Sequence, residues 1–285
     1  MTWDARPPLI PRLPFQTRVG LASTAGDHTL DRPLASSTVL LEQPIEPLLV
    51  ELPPGRRDLH QCAGLPWLVM VHALGENRTG TNYWQAQAAR IIAAADIVVA
   101  RFDLSGHGES LAGMDVRTWL RQCADAVTIA RRHRARSVHM TARGLHAALL
   151  AGQDLDGVRI AVFPPRPDQL RWWSSVRDRV DSELLEVDFS PGGEERTFWE
   201  ACGADTSRLR GFRVPVGVLR DLVTPFLEGS VAWTVAVTSS RESTGTLVCG
   251  GGPLTRLESE RSGLAHLLRE YLARVTARGN GGERS

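Results

Sequence analysis

Along the chain the hydrophobic pattern keeps switching between a period near two and a period near 3.6. STVLLEQ and EPLLVEL (residues 37–43 and 46–52) are short, β-branched and apolar, the marks of strands. PWLVMVHAL, from Pro66 to Leu74, is almost continuously apolar and runs into the polar loop GENRTGTN. That pattern suits a parallel strand covered on both faces. Apolar positions then recur at helical spacing from Tyr83 to Ala95. There follow a strand DIVVARF, a loop DLSGHGES, a helix over Val116–Arg132 and a strand over Ser137–Thr141. A tight turn leads into an alanine- and leucine-rich helix ending at Gly152, and VRIAVF is the next strand. Strict alternation of strand and helix predicts an α/β fold with a doubly wound, mostly parallel sheet.

Between Pro164 and Arg213 the rhythm breaks. RWWSSVRDRVDSELLEVDFSPGGEERTFWEACG is aromatic-rich and partly helical, and reads as a cap inserted over the sheet, about 164–212, rather than as a second domain. Alternation resumes with VPVGVLRD as a strand, a helix around Leu227 to Thr238, a strand GTLVCGGG and a helix from Glu258 to Ala277. Residues 1–36, rich in Pro, Thr and Ser, are expected to form an extended arm before a domain spanning 37–278. Residues 279–285 are expected to be a flexible tail.

Composition narrows the function classes. A net charge of +1 gives no sign of a nucleic-acid partner or an anionic membrane surface. No run of about 18 apolar residues exists, so no membrane span is expected. The proline-broken start MTWDARPPLIPRLP does not read as a secretory signal, and a cytoplasmic location is the expectation. Cys62, Cys123, Cys202 and Cys249 lie far apart, without metal-ligand spacing, so no metal is expected. There is no lysine, which removes Schiff-base and lysine-base chemistry. GGG at 250–252 lacks dinucleotide-binding spacing, and no cofactor is expected.

The order of elements resembles the α/β-hydrolase superfamily, and local motifs agree. HALGENR (His72–Arg78) stands where such enzymes carry the turn that supplies oxyanion-hole amides, and FDLSGHGES (Phe102–Ser110) matches the loop after their fourth strand. The Glu76-Asn77-Arg78 stretch and the helix after it are also similar to the exosortase-associated hydrolase 2 branch. The resemblance is strong from Pro66 to Gly152. It implies a strand–turn–helix nucleophile elbow at ARGLH, where an active enzyme reads G-x-S-x-G. Two registers fit. One puts Gly144 at the nucleophile position with Ala142 and His146 flanking; the other puts Ala142 there, between Met140 and Gly144. The first is preferred, because glycine tolerates the left-handed backbone of that turn. Neither supplies an Oγ or Sγ.

The resemblance places a catalytic acid after the strand that follows the cap, where RDLVTP offers Asp221. The histidine expected after the last strand is missing, with Pro253 nearby and His266 mid-helix. Several polar groups are candidates around the elbow. His107 and Glu109 could form a proton-transfer pair, or their loop could be structural, with Asp103 and Ser110 bonding its turn. Arg143 and His146 could bind a carboxylate or phosphate, and Glu76 could pair with Arg78. His72, Ala73, Leu74 and Arg78, with Trp172 and Trp173 beside Phe198 and Trp199, are candidate ligand contacts. The leading expectation is a hydrolase-fold protein with a non-hydrolytic or binding role on a small organic molecule. The alternatives are an ester or thioester hydrolase or acyltransferase using Cys249, Cys62 or Ser105, and an interaction subunit with a homo-oligomeric or protein partner.

Overall fold

The computed structural model describes residues 37–41, 47–110, 112–179, 183–187, 192–204, 212–239, 246–249 and 258–279. The expected arm, the glycine triplet, Pro253 and the last six residues lie outside them. The first four strands are β1 (Ser37–Leu41), β2 (Leu48–Leu52), β3 (Trp67–Val71) and β4 (Val98–Arg101). Between the last two lies α1 (Trp84–Ala93), and α2 (Val116–Arg132) precedes β5 (Val138–Arg143) and β6 (Arg159–Val162).

The segment after β6 carries α3 (Arg171–Val176), β7 (Leu184–Glu186), α4 (Gly193–Ala201), β8 (Arg213–Pro215) and α5 (Val216–Leu227). The chain then returns through β9 (Val235–Thr238), β10 (Thr246–Val248) and α6 (Glu258–Gly279). Eight strands form one sheet in the order β1-β2-β4-β3-β5-β6-β9-β10, parallel from β4 onward, with β1 and β2 antiparallel at one edge. β7 and β8 form a separate antiparallel pair.

Alternation within β3 explains why its sequence has no polar position. Trp67, Val69 and Val71 enter the core shared with Trp119 and Cys123 of α2. Leu68 and Met70 enter the opposite core, with Trp84 and Ile92 of α1 and Leu264 and Leu268 of α6.

Three expectations are corrected. VPVGVLRD is not a strand: only Arg213–Pro215 is extended, and the rest opens α5. Val216, Val218, Leu219, Leu222, Val223 and Phe226 are its buried positions, a helical spacing that short β-branched runs conceal. The helix expected at Leu227 to Thr238 ends at Leu227, and Val235–Thr238 is the strand β9. The helix after β5 is a 3₁₀ segment, Gly144–Leu150.

Candidate functional site

β3 and β5 are parallel neighbours with Val71 opposite Ala142, so the next residues, His72-Ala73 and Arg143-Gly144, emerge side by side. This is the carboxyl edge of the sheet, where open α/β sheets bind their ligands. Gly144 is the left-handed residue of the turn (φ +58), while Ala142 lies inside β5, paired with Val71 and Ala161. The turn therefore carries its left-handed backbone at Gly144. Little room is left above it. A Cβ on Gly144 would stand 2.6 Å from the carbonyl carbon of Cys202 and 3.1 Å from the nitrogen of Gly203. A Cβ on Gly203 would in turn meet that of Ala73 at 2.5 Å. The chain leaving α4 is thus seated between the turn and the loop after β3.

Glu76 ties these pieces together. Its carboxylate is buried and accepts the Ala73 N–H (3.0 Å), the Thr81 N–H (3.0 Å) and the Trp84 Nε1–H (3.5 Å). Arg143 Nη1 lies 2.6 Å from Oε1, the oxygen that also accepts the Thr81 amide, and the guanidinium stacks 5.0 Å from the Trp84 ring. Burial alone would raise the Glu76 pKa, but Arg143 and the donated hydrogen bonds hold it below the usual carboxylate value. The expected Glu76–Arg78 pair is therefore not formed. Arg78 is drawn instead to Asp103 (2.8 Å) and Glu109 (2.7 Å). Arg143 does bind a carboxylate, and it belongs to the chain itself.

Beneath the turn lie three buried imidazoles. His72 and His107 have ring centroids 4.9 Å apart, and His146 stands 5.7 and 5.6 Å from them, with Trp119 against His107 and His146. His72 Nδ1–H donates to the Ala73 carbonyl and its Nε2 accepts the Leu104 N–H, which specifies one neutral tautomer. His146 Nδ1–H donates to the His72 carbonyl at 2.6 Å. Burial pushes all three pKa values down, His146 to about 3. The Nε2 atoms of His107 and His146 have no hydrogen-bond partner. Among the described residues no cluster of His, Cys, Asp or Glu has a geometry that could hold a metal ion.

The loop after β4 is bonded internally. Asp103 accepts the Arg78 and Glu109 amides, and Ser110 Oγ accepts those of Gly106 and Ala112. Glu109 points to solvent, its side chain 80% exposed, while His107 is buried, so the two do not form a proton-transfer pair.

Outside this closed region is an open cleft of about 670 Å³ formed by the loop from Gly75 to Tyr83, with Gly203 at its inner side and Arg261 of α6 beside it. Asn82 (φ +57) and Tyr83 (φ +60) are consecutive left-handed residues, and Tyr83 is 73% exposed. Neither the cleft nor the Cys202 contact was legible from the residues alone; polar GENRTGTN was the nearest signal.

Known structures match this architecture at low identity. Est1E from Butyrivibrio proteoclasticus, solved with ferulic acid bound, aligns with a TM-score of 0.56 at 11% identity, covering 84% of this chain and 99% of that one. A soluble variant of monoglyceride lipase from Saccharomyces cerevisiae gives 0.55 at 8%, over 87% and 99%. Mouse alpha/beta hydrolase domain-containing protein 10 gives 0.53 at 13%, over 84% and 99%. The chain has the α/β-hydrolase fold. No protein-family model matches the sequence, and a comparison with curated proteins finds no match.

In hydrolase-fold terms β9 is the strand after the cap, so Asp221, exposed in the middle of α5, does not follow that strand. Cys249 and Cys62 are buried, as are all four free thiols. Ser105 Oγ is buried with no hydrogen-bond partner, so no general base holds it. His72, Ala73 and Leu74 are fully buried. Trp173, Phe198 and Trp199 are buried, and Trp172 packs 5.1 Å from Phe198 and 6.0 Å from Trp199. These rings pack the cap segment and do not line the cleft.

Proposed function

We propose that this chain uses the α/β-hydrolase fold without serine-hydrolase chemistry, to bind a small organic molecule in the cleft between Gly75 and Tyr83. Acyl transfer on this fold needs a nucleophile at the turn and free amides to receive the developing oxyanion. One observation carries the reading: both places are taken by the chain's own groups. The Cys202 carbonyl sits over Gly144, and the Ala73 amide already donates to the Glu76 carboxylate. A resident anion, neutralised by Arg143, stands where a transition-state charge would have to be received. An interaction role is the second reading, favoured by the exposed Tyr83 ring on its strained loop.

The test is turnover of a panel of p-nitrophenyl esters and acyl thioesters, with fluorophosphonate labelling, for the wild type and a Cys249→Ala, Ser105→Ala double variant. Neither protein is expected to exceed buffer hydrolysis or to take up label. Wild-type turnover that the double variant loses would show that a nucleophile operates and would overturn the proposal.

A further inference from the structure

The cleft's chemistry narrows what it can hold. Among the described residues that line it there is no aliphatic side chain; Asn77, Thr79, Thr81 and Asn82 supply amide and hydroxyl groups, glycines expose backbone, and Tyr83 is the one aromatic ring. Apart from the Tyr83 ring, an acyl chain would find no apolar side chain to cover it. Charge offers little either: the carboxylate in the wall, Glu76, is already saturated by Arg143, Ala73 and Thr81, and the Arg261 side chain of α6 is engaged by a partner of its own. What remains is neutral, directional hydrogen bonding beside an exposed ring.

We infer, on the basis of the proposed binding role, that the cleft is a carbohydrate subsite, taking a neutral oligosaccharide unit whose C–H face lies on Tyr83. Sugar hydroxyls both donate and accept, as do carboxamides taken whole and threonine hydroxyls, so a polyol can satisfy these groups without a net charge. Tyrosine beside asparagine is a pairing suited to recognition: the ring gives rigid contact area at low entropic cost, and the amide gives adaptable hydrogen bonds. The volume of about 670 Å³ falls within the roughly 300–1,000 Å³ of small-ligand sites.

Backbone strain points to the same loop. Asn82 and Tyr83 both hold left-handed φ values that cost side-chain-bearing residues free energy. The Tyr83 N–H donates to the Gly80 carbonyl at 3.0 Å, and the Gln85 and Ala86 amides converge on the Thr79 carbonyl, fixing the strained turn at the start of α1. This turn carries a large ring that stands 73% exposed beside the cleft.

Saturation-transfer NMR tests this with full-length protein and defined probes: neutral hexose, N-acetylhexosamine and pentose di- and trisaccharides, with octanoate as the counter-probe. Transfer to the ring protons of at least one saccharide is expected, with none to octanoate. Tyr83→Ala should weaken binding about tenfold while leaving the fold intact, because the ring it removes is exposed. Asn82→Gly should also weaken binding yet raise stability, since it relieves the left-handed strain; those opposite signs would not arise from unfolding. Absence of transfer to every saccharide, or binding indifferent to Tyr83→Ala, overturns the carbohydrate assignment and leaves the non-hydrolytic reading standing. Ester hydrolysis in the turnover assay overturns that reading whatever the sugars do.

Discussion

Gly144→Ala measures directly whether the turn is closed in solution. Two costs follow from the geometry. A side chain at φ +58 carries left-handed strain of about 1–2 kcal/mol. The added methyl must also displace the Cys202–Gly203 backbone, whose carbonyl carbon it would approach to 2.6 Å, and overpacking of this kind costs roughly 1–3 kcal/mol. Together they give about 2–5 kcal/mol. Gly55→Ala is the internal control, because Gly55 has φ +82 with nothing within 4 Å of its hypothetical Cβ. That variant should show the strain alone. Urea unfolding followed by tryptophan fluorescence, with equal slopes required before midpoints are compared, reads the difference. Gly144→Ala is expected to lose at least about 1 kcal/mol more than Gly55→Ala. Equal losses would mean that the segment after α4 does not rest on the turn in solution, and the case for a closed chamber would fail.

Two further outcomes follow from the buried charges. Glu76→Gln removes the charge that neutralises the buried Arg143 guanidinium and should cost about 3–5 kcal/mol, whereas combining it with Arg143→Met should recover at least half; a single-variant loss under about 1 kcal/mol would refute the coupling. Stability should also fall on acidification. His72, His107 and His146 stay neutral in the fold but take up protons near pH 6.5 once unfolded. Their contribution is therefore complete above about pH 7 and lost as pH drops towards the folded values, at about 1.4 kcal/mol per unit for each group. Unfolding midpoints unchanged between pH 7 and pH 5 would show that these rings are not buried neutral.

Much of the fold was legible because the sheet's central strands are covered on both faces, and their middles, WLVMV and IVVA, carry no polar residue. The errors came where a helix borrows strand-like residues. VPVGVLRD is rich in valine, yet its burial repeats at helical spacing once LVTPFL is read with it. That Gly144 takes the left-handed backbone of the turn was also legible, since a glycine sits comfortably at that angle. The closing of the site was not, because it depends on contacts distant in sequence. Nothing near Glu76 indicates that its partner is Arg143, 67 residues on, rather than Arg78. Nothing in ACGAD marks the Cys202 carbonyl as the group above Gly144.

The junction of Glu76, Arg143, Gly144 and Cys202 bears on the evolutionary routes open to the chain. A serine at 144 would have to force aside the backbone above it, and freeing the Ala73 amide would mean discarding Glu76 and with it the charge that neutralises buried Arg143. Each single step towards hydrolysis is thus a step down in stability before any catalytic advantage could arise. The four positions are thus bound to one another: a change at any one is opposed by the packing or the charge of the others, and selection for stability alone would hold the set together.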